Sequence, residues 1–136
     1  MGGAGVFGTP SRYTLASLEL RGGTTALPTA HVVLAEGDGK VEADGEGNGM
    51  IDAAFEAIAG ATGVDSTVLD FKVSSVTGGR DALGDVVIML EVDDRKASGR
   101  GVSTDIVEAS ARAYLSAVNK IVRVADQAPR ERAVGP

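Results

Sequence analysis

Apolar residues recur along this chain at two spacings, and the switch from one to the other happens twice. YTLASLEL (13–20) sets Leu15, Leu18 and Leu20 among polar neighbours, and LPTAHVVLAE (27–36) carries a β-branched run. After a turn at Gly37–Gly39 comes KVEA (40–43), a short third segment. These predict three strands. From about Ile51 to Ala61 the spacing becomes helical, with Ala54, Phe55, Ile58 and Ala61 on one stripe.

The second half repeats the order. TVLDFKVSSV (67–76) alternates Val68, then Phe71, Val73 and Val76, and ALGDVVIMLEV (82–92) is strongly β-prone. DDR (93–95) supplies a turn and KAS (96–98) a brief return strand. From about Thr104 to Asp126, Ile106, Ala109, Ala113, Ala117, Ile121 and Val124 fall on one helical face. The pattern therefore predicts an α+β fold of two βββα units, residues 13–63 and 64–125, related by internal pseudo-symmetry. Flanking them are a flexible Gly-rich lead (1–12) and a flexible, Pro-containing tail (126–136).

Both helices open on alternate glycines: GEGNGMIDAAFEAIAG (45–60) and GRGVSTDIVEASARAYL (99–115). Laying Gly47 on Gly99 puts Gly49 on Gly101, Glu56 on Glu108 and Ala57 on Ala109 without a gap. Lacking Cβ, such residues let another group approach the main chain, and the first-turn N–H groups of a helix have no partner inside it. A carboxylate fits there, helped by the helix dipole. The alternative is that the glycines only make tight strand-to-helix turns. Asp52, Ser103, Thr104 and Asp105 read as helix caps or dipole partners.

Three strands and one helix cover a single face of a sheet, so a βββα pair leaves sheet surface or an edge to be covered. A homodimer is the simplest remedy, and a small ligand would sit between its loops.

Composition narrows the function. The 136 residues suit one domain; with 4% aromatics and no Trp, the core must be built from Val, Leu, Ile and Ala. Nineteen acidic against thirteen basic side chains give a net charge of −6, which opposes nucleic acid. Cysteine is absent, excluding disulfides and thiolate metal sites. No apolar run is long enough for a membrane span, and no secretory signal opens the chain, so a cytoplasmic location is expected. The sole histidine, His31, lies in a predicted strand and reads as packing or surface. Neither a GxSxG elbow nor a GxxxxGK[ST] loop is present, and Asp52 stands where a dinucleotide fingerprint needs its third glycine. No catalytic residue, metal ligand or cofactor is expected.

GNGMIDAAFEAI, TGGRDALGDV and GRGVSTDIVEASARAYLSAVN, agreeing in order and spacing, closely resemble the C-terminal regulatory domain of 2-isopropylmalate synthase, also found on citramalate synthase. The resemblance covers roughly residues 13 to 122. It implies paired βββα units, a domain-level homodimer, and a feedback-inhibitor site at the dimer interface that takes a branched-chain amino acid: leucine for the first enzyme, isoleucine for the second. Carried onto matching positions, Gly47, Gly49, Ile51 and Asp52 would line the ligand's polar end. Val68, Phe71, Ser75, Ala82 and Val102 would shape the aliphatic pocket. Phe71 falls where a family member has tyrosine, and Met50 replaces the proline usual after the glycine pair. The resemblance further implies a partner TIM barrel, in cis or in trans, that performs an acetyl-CoA condensation; a chain this short has no room for one.

Overall fold

The computed structural model describes residues 12–24, 26–77 and 82–134, with the side chains at 76–77, 82 and 124–134 outside the description. The lead at 1–11 and part of the TGGRDALGDV motif therefore lie outside the described residues. The order is β1 (Thr14–Arg21), β2 (Thr29–Glu36), β3 (Gly39–Glu46), α1 (Met50–Thr62), β4 (Thr67–Thr77), β5 (Ala82–Val92), β6 (Arg95–Ser103) and α2 (Ile106–Val134). Two antiparallel three-stranded sheets, β1-β2-β3 and β4-β5-β6, are each followed by a helix.

The central strands are the ones with the cleanest alternation. Ala30, Val32 and Leu34 of β2, and Val86, Ile88 and Leu90 of β5, are buried on the faces turned toward the helices. Each large one contributes about 1.5–3 kcal/mol by leaving water. α1 brings Ala53, Ala54, Ala57 and Ile58 against the first sheet, and α2 brings Ala109, Ala113, Ala117, Val118 and Ile121 against the second. Alanine on the helix side lets the backbones come close, which is how a core poor in aromatics stays packed.

Two expectations are corrected here. The return strands are longer than KVEA and KAS: β3 pairs with β2 as far as Thr29↔Glu46, and β6 pairs with β5 as far as Gly84↔Ser103. Their glycines suggested loop, but Gly45, Gly99 and Gly101 are strand residues whose missing Cβ makes room for the backbone of their own helix. A Cβ at Gly45 would strike Ala53 and Ala57, and one at Gly101 would strike Ala109 and Ala113. That shared relationship also corrects the register of the repeat. Gly45, not Gly47, is the counterpart of Gly101, and Ala53 that of Ala109. The same offset pairs Val32 with Ile88, and the turn residue Gly37 (φ 61°) with Asp93 (φ 55°). Both edge strands even carry a bulge at matching places, between Leu15 and Ser17 and between Val68 and Asp70.

The first helix ends at Gly63, left-handed at φ 71°, whose N–H donates to Ala59 O at 2.9 Å. The second continues past the expected Asp126 to Val134, into the segment read as a tail. Ala, Arg, Gln and Glu there favour helix, and this outweighs the missing donor at Pro129.

The units are tied across the seam. Tyr13 N–H donates to Asn119 Oδ1 and Asn119 Nδ2 donates to Tyr13 O, both at 2.9 Å, fixing the start of β1 to α2. From α1, the Phe55 ring stacks on Tyr114 of α2 at 4.5 Å between centroids and lies 6.2 Å from Phe71 of β4.

Candidate functional site

A cleft of about 370 Å³ opens where the start of α1 meets the edge strand β4. Gly47, Asn48 and Asp52 form one wall, Ser66 and Val68 the other, and Phe55 and Tyr114 also line it. The fold thus brings together three residues expected from sequence, Gly47, Asp52 and Val68. Phe71 stands next to them through its contact with Phe55. Gly49 is the N-cap of α1, and Ile51, half-buried, belongs to its first turn.

Ser75, Ala82 and Val102 are placed elsewhere. Ser75 pairs with Gly84 and Ala82 with Thr77, at the far end of the second sheet. Seven steps along the strand separate Ser75 from Val68, about 20 Å. Val102 pairs with Asp85 and is 40% exposed on the sheet face turned away from the helices. Within one chain these three do not reach the α1 opening.

The two glycines of the opening differ in role. A Cβ on Gly47 would sit 2.6 Å from Asp52 Cβ and 2.7 Å from Ala53 N, so Gly47 is demanded by packing, and its N–H is held by Pro28 O at 3.2 Å. Gly49 meets nothing within 4 Å and is extended, at φ −144° and ψ 173°. No side chain caps α1, leaving first-turn amides without an intrahelical acceptor. At the start of α2, by contrast, Asp105 Oδ1 accepts from Val107 N–H at 2.8 Å and Glu108 N–H at 3.4 Å, and Ser103 Oγ accepts from Asp105 N–H at 3.1 Å. Of the residues read as caps or dipole partners, Asp105 caps α2 and Ser103 holds the amide of that cap, while Asp52 is the acidic residue in the first turn of α1, at the positive end of its dipole, and does not cap it.

A smaller groove of about 210 Å³ runs between β1 and the start of α2, as pseudo-symmetry requires. Leu15, Leu18 and Leu20 face Asp105, Glu108 and Arg112, and an Arg112–Glu108 ion pair at 2.7 Å spans the helix side. The duplicated geometry survives there with its helix end already occupied.

Sequence reading missed Asn48, Glu56, Ser66 and Tyr114. Asn48 sits inside the quoted glycine motif and was within reach, whereas Tyr114 arrives from a distant helix with no local signal. Its hydroxyl is 2.8 Å from Ser66 Oγ, and burial pushes the phenol above its usual pKa despite that hydrogen bond. Among the described residues no group of three or more His, Cys, Asp or Glu is arranged to hold a metal, and no helix is long and apolar enough to cross a membrane.

Two βββα units, each setting its edge strand beside the other's helix, with a cleft at that seam, define a duplicated α+β domain. The chain belongs to the LeuA allosteric (dimerisation) domain family, whose model matches residues 5–122. It is 48% identical over 114 residues to a 2-isopropylmalate synthase of Brevibacillus brevis, an alignment covering 83% of this chain and 22% of the relative. Similar proteins of the same name occur in Acidimicrobium ferrooxidans (45% over 117 residues; 86% and 23% covered) and Pyrococcus furiosus (46% over 114 residues; 82% and 22% covered). The chain spans under a quarter of the length of these curated relatives. It carries the regulatory dimerisation domain and no TIM barrel.

Proposed function

We propose that this domain is the feedback sensor of a 2-isopropylmalate synthase-like acyltransferase, binding leucine between two copies of itself and passing that event to a catalytic barrel in cis or in trans. The observation that carries this is the uncapped start of α1, open to a cleft in which Phe55, Val68 and Tyr114 supply apolar surface among the polar Asn48, Asp52, Glu56 and Ser66. The amides after Gly49, at Ile51 and Asp52, hold the ligand carboxylate, while Val68 and Phe71 take its aliphatic end. Val68 and Val73, 39% and 50% exposed on the face of β4 turned toward the helices, leave apolar surface for a second copy to cover. Ser75, Ala82 and Val102, remote from the opening within one chain, reach the ligand from that partner.

Leucine and isoleucine differ by the position of one methyl, so a citramalate synthase-type sensor for isoleucine is the near alternative, and discrimination rests on about 1–3 kcal/mol. Binding regulates only if the ligand favours one dimer arrangement over another. Calorimetric titration with leucine, isoleucine, valine and alanine, alongside light scattering for the assembly, tests the reading. A dimer that gives heat with leucine or isoleucine supports it; no heat with any of the four removes it.

A second reading, a dimerisation module whose glycines are purely structural, is favoured by the close packing at Gly45, Gly47, Gly99 and Gly101. It has no account of Gly49, which packs against nothing.

A further inference from the structure

The outer face of the first sheet carries a charged cluster that the ligand cleft does not use. His31, on β2, has both ring nitrogens against carboxylates of β3: Nδ1 lies 2.6 Å from Asp44 Oδ1 and Nε2 2.9 Å from Glu42 Oε1. A carboxylate only accepts, so both contacts are hydrogen bonds only when the imidazole carries two protons; the neutral ring turns a bare lone pair toward one of them. The surroundings are acidic. Glu19 of β1 pairs directly across from His31, and Glu19, Asp44, Glu46 and Glu56 of α1 line one open cleft of about 880 Å³ with His31 and Arg21.

β3 runs from this cluster straight into the ligand opening. Asp44 is followed by Gly45, seated on the α1 backbone at Ala53 and Ala57, and Gly47 is seated on Asp52. The end of β3 and the first turns of α1 are thus in direct backbone contact.

We infer that His31 is a protonation latch on the ligand opening: as imidazolium it ties β3 to β2 and sets the start of α1 in the geometry that binds the amino acid. On losing that proton, Glu19, Asp44, Glu46 and Glu56 share the cleft with Arg21, the one Lys or Arg among its described lining residues, Glu42 stands against the neutral ring, and the end of β3 loosens. The carboxylates of Asp44, first, and Glu42 hold the imidazole above its ordinary pKa of 6.5. With the folded value raised, the stabilisation is complete below the unfolded value and is lost as pH rises through the folded one. The ligand arm of this inference rests on the sensor reading above.

Because His31 is the sole histidine, its ring resonances titrate alone in NMR. The expected result is a midpoint above 6.5 that falls back toward 6.5 in Asp44→Asn, with a melting temperature that declines as pH rises from 6.5 through that midpoint in the native chain but not in His31→Gln. Leucine affinity, measured by calorimetry, should weaken by at least about twofold over that range and lose this dependence in His31→Gln. A His31 midpoint at or below 6.5, or an unchanged pH dependence of affinity in His31→Gln, overturns the latch. A raised midpoint with no leucine binding at any pH overturns the sensor reading and the coupling with it, while the pH dependence of melting still stands as the latch's own readout.

Discussion

Gly49 and Asp105 hold the same place in the two halves of the domain, each immediately before the first residue of its helix, and they treat the amides behind them in opposite ways. Asp105 accepts from Val107 and Glu108 N–H through one carboxylate oxygen, while Gly49 offers no side chain at all. The halves share strand order, bulges and helix seating, so the contrast is local. One helix start is filled by its own chain and the other is left for something else to fill.

Gly49→Asp should therefore convert the first opening into a copy of the second. The backbone is extended and nothing lies within 4 Å of a Cβ there, so the side chain fits without strain. A new cap stabilises α1 by a few tenths to about 1 kcal/mol. Thermal melting should rise by a few degrees while leucine binding is lost, because the aspartate occupies the amides and repels the ligand carboxylate. If melting rises and leucine still binds with native affinity, the carboxylate is held elsewhere.

Gly101→Ala should behave differently. Its Cβ would press into the α2 backbone at Ala109 and Ala113, where no flexible side chain can give way. The expected loss is about 2–3 kcal/mol, seen as a lower urea midpoint, with Gly45→Ala costing a similar amount at α1. Gly23→Ala, with nothing within 4 Å, is the control and should stay within about 0.5 kcal/mol. Equal midpoints for Gly101→Ala and Gly23→Ala would show that the helix does not sit on its sheet as described.

Hydrophobic spacing made the two βββα units legible, because β2 and β5 bury every second residue and α1 and α2 bury one stripe. What it hid was the length of β3 and β6. In the stretches beyond KVEA and KAS, the outward residues include the charged Asp44 and Arg100 and the inward ones are Gly45, Gly99 and Gly101, so the single valines at Val41 and Val102 make no β-branched run. Local sequence sees glycine as a break, whereas the reason for it lies in the helix that follows. The same blindness placed Gly47 on Gly99: alternate glycines align by eye at one offset, and the helix contacts fix another. At the site, the α1 opening was visible as a motif, but Tyr114 and Ser66 come from separate elements and meet only through the fold.

Asp85 and Arg100 make a bidentate pair on the outer face of the second sheet, Nε to Oδ1 at 2.8 Å and Nη2 to Oδ2 at 2.6 Å. The guanidinium holds the Asp85 carboxyl below its ordinary 3.8. A lowered folded pKa gives stability that is present above the unfolded value and lost as pH falls through the folded one. Asp85→Asn should thus melt below the native chain near neutral pH, and the gap should close as pH falls from about 5 to about 2. A gap that stays constant across that range would mean the pair contributes through packing rather than charge.

Tyr114 joins the cleft to the second unit, and its two attachments can be separated. Tyr114→Phe keeps the stack on Phe55 and deletes the hydrogen bond to Ser66, which should cost about 1 kcal/mol in urea denaturation. Phe55→Ala removes the ring contacts to both Tyr114 and Phe71 and should cost about 2–3 kcal/mol, below the range for a fully buried ring because Phe55 is half-buried. The pH dependence tells the two apart. Burial raises the folded phenol above 10.0, so as pH climbs past that value the unfolded chain sheds its proton first and native stability declines. Tyr114→Phe should flatten that alkaline decline, and Phe55→Ala, which keeps the phenol, should not. If both variants decline as the native chain does, Tyr114 is not the group that titrates, and the cleft floor is open to water where the fold has it closed.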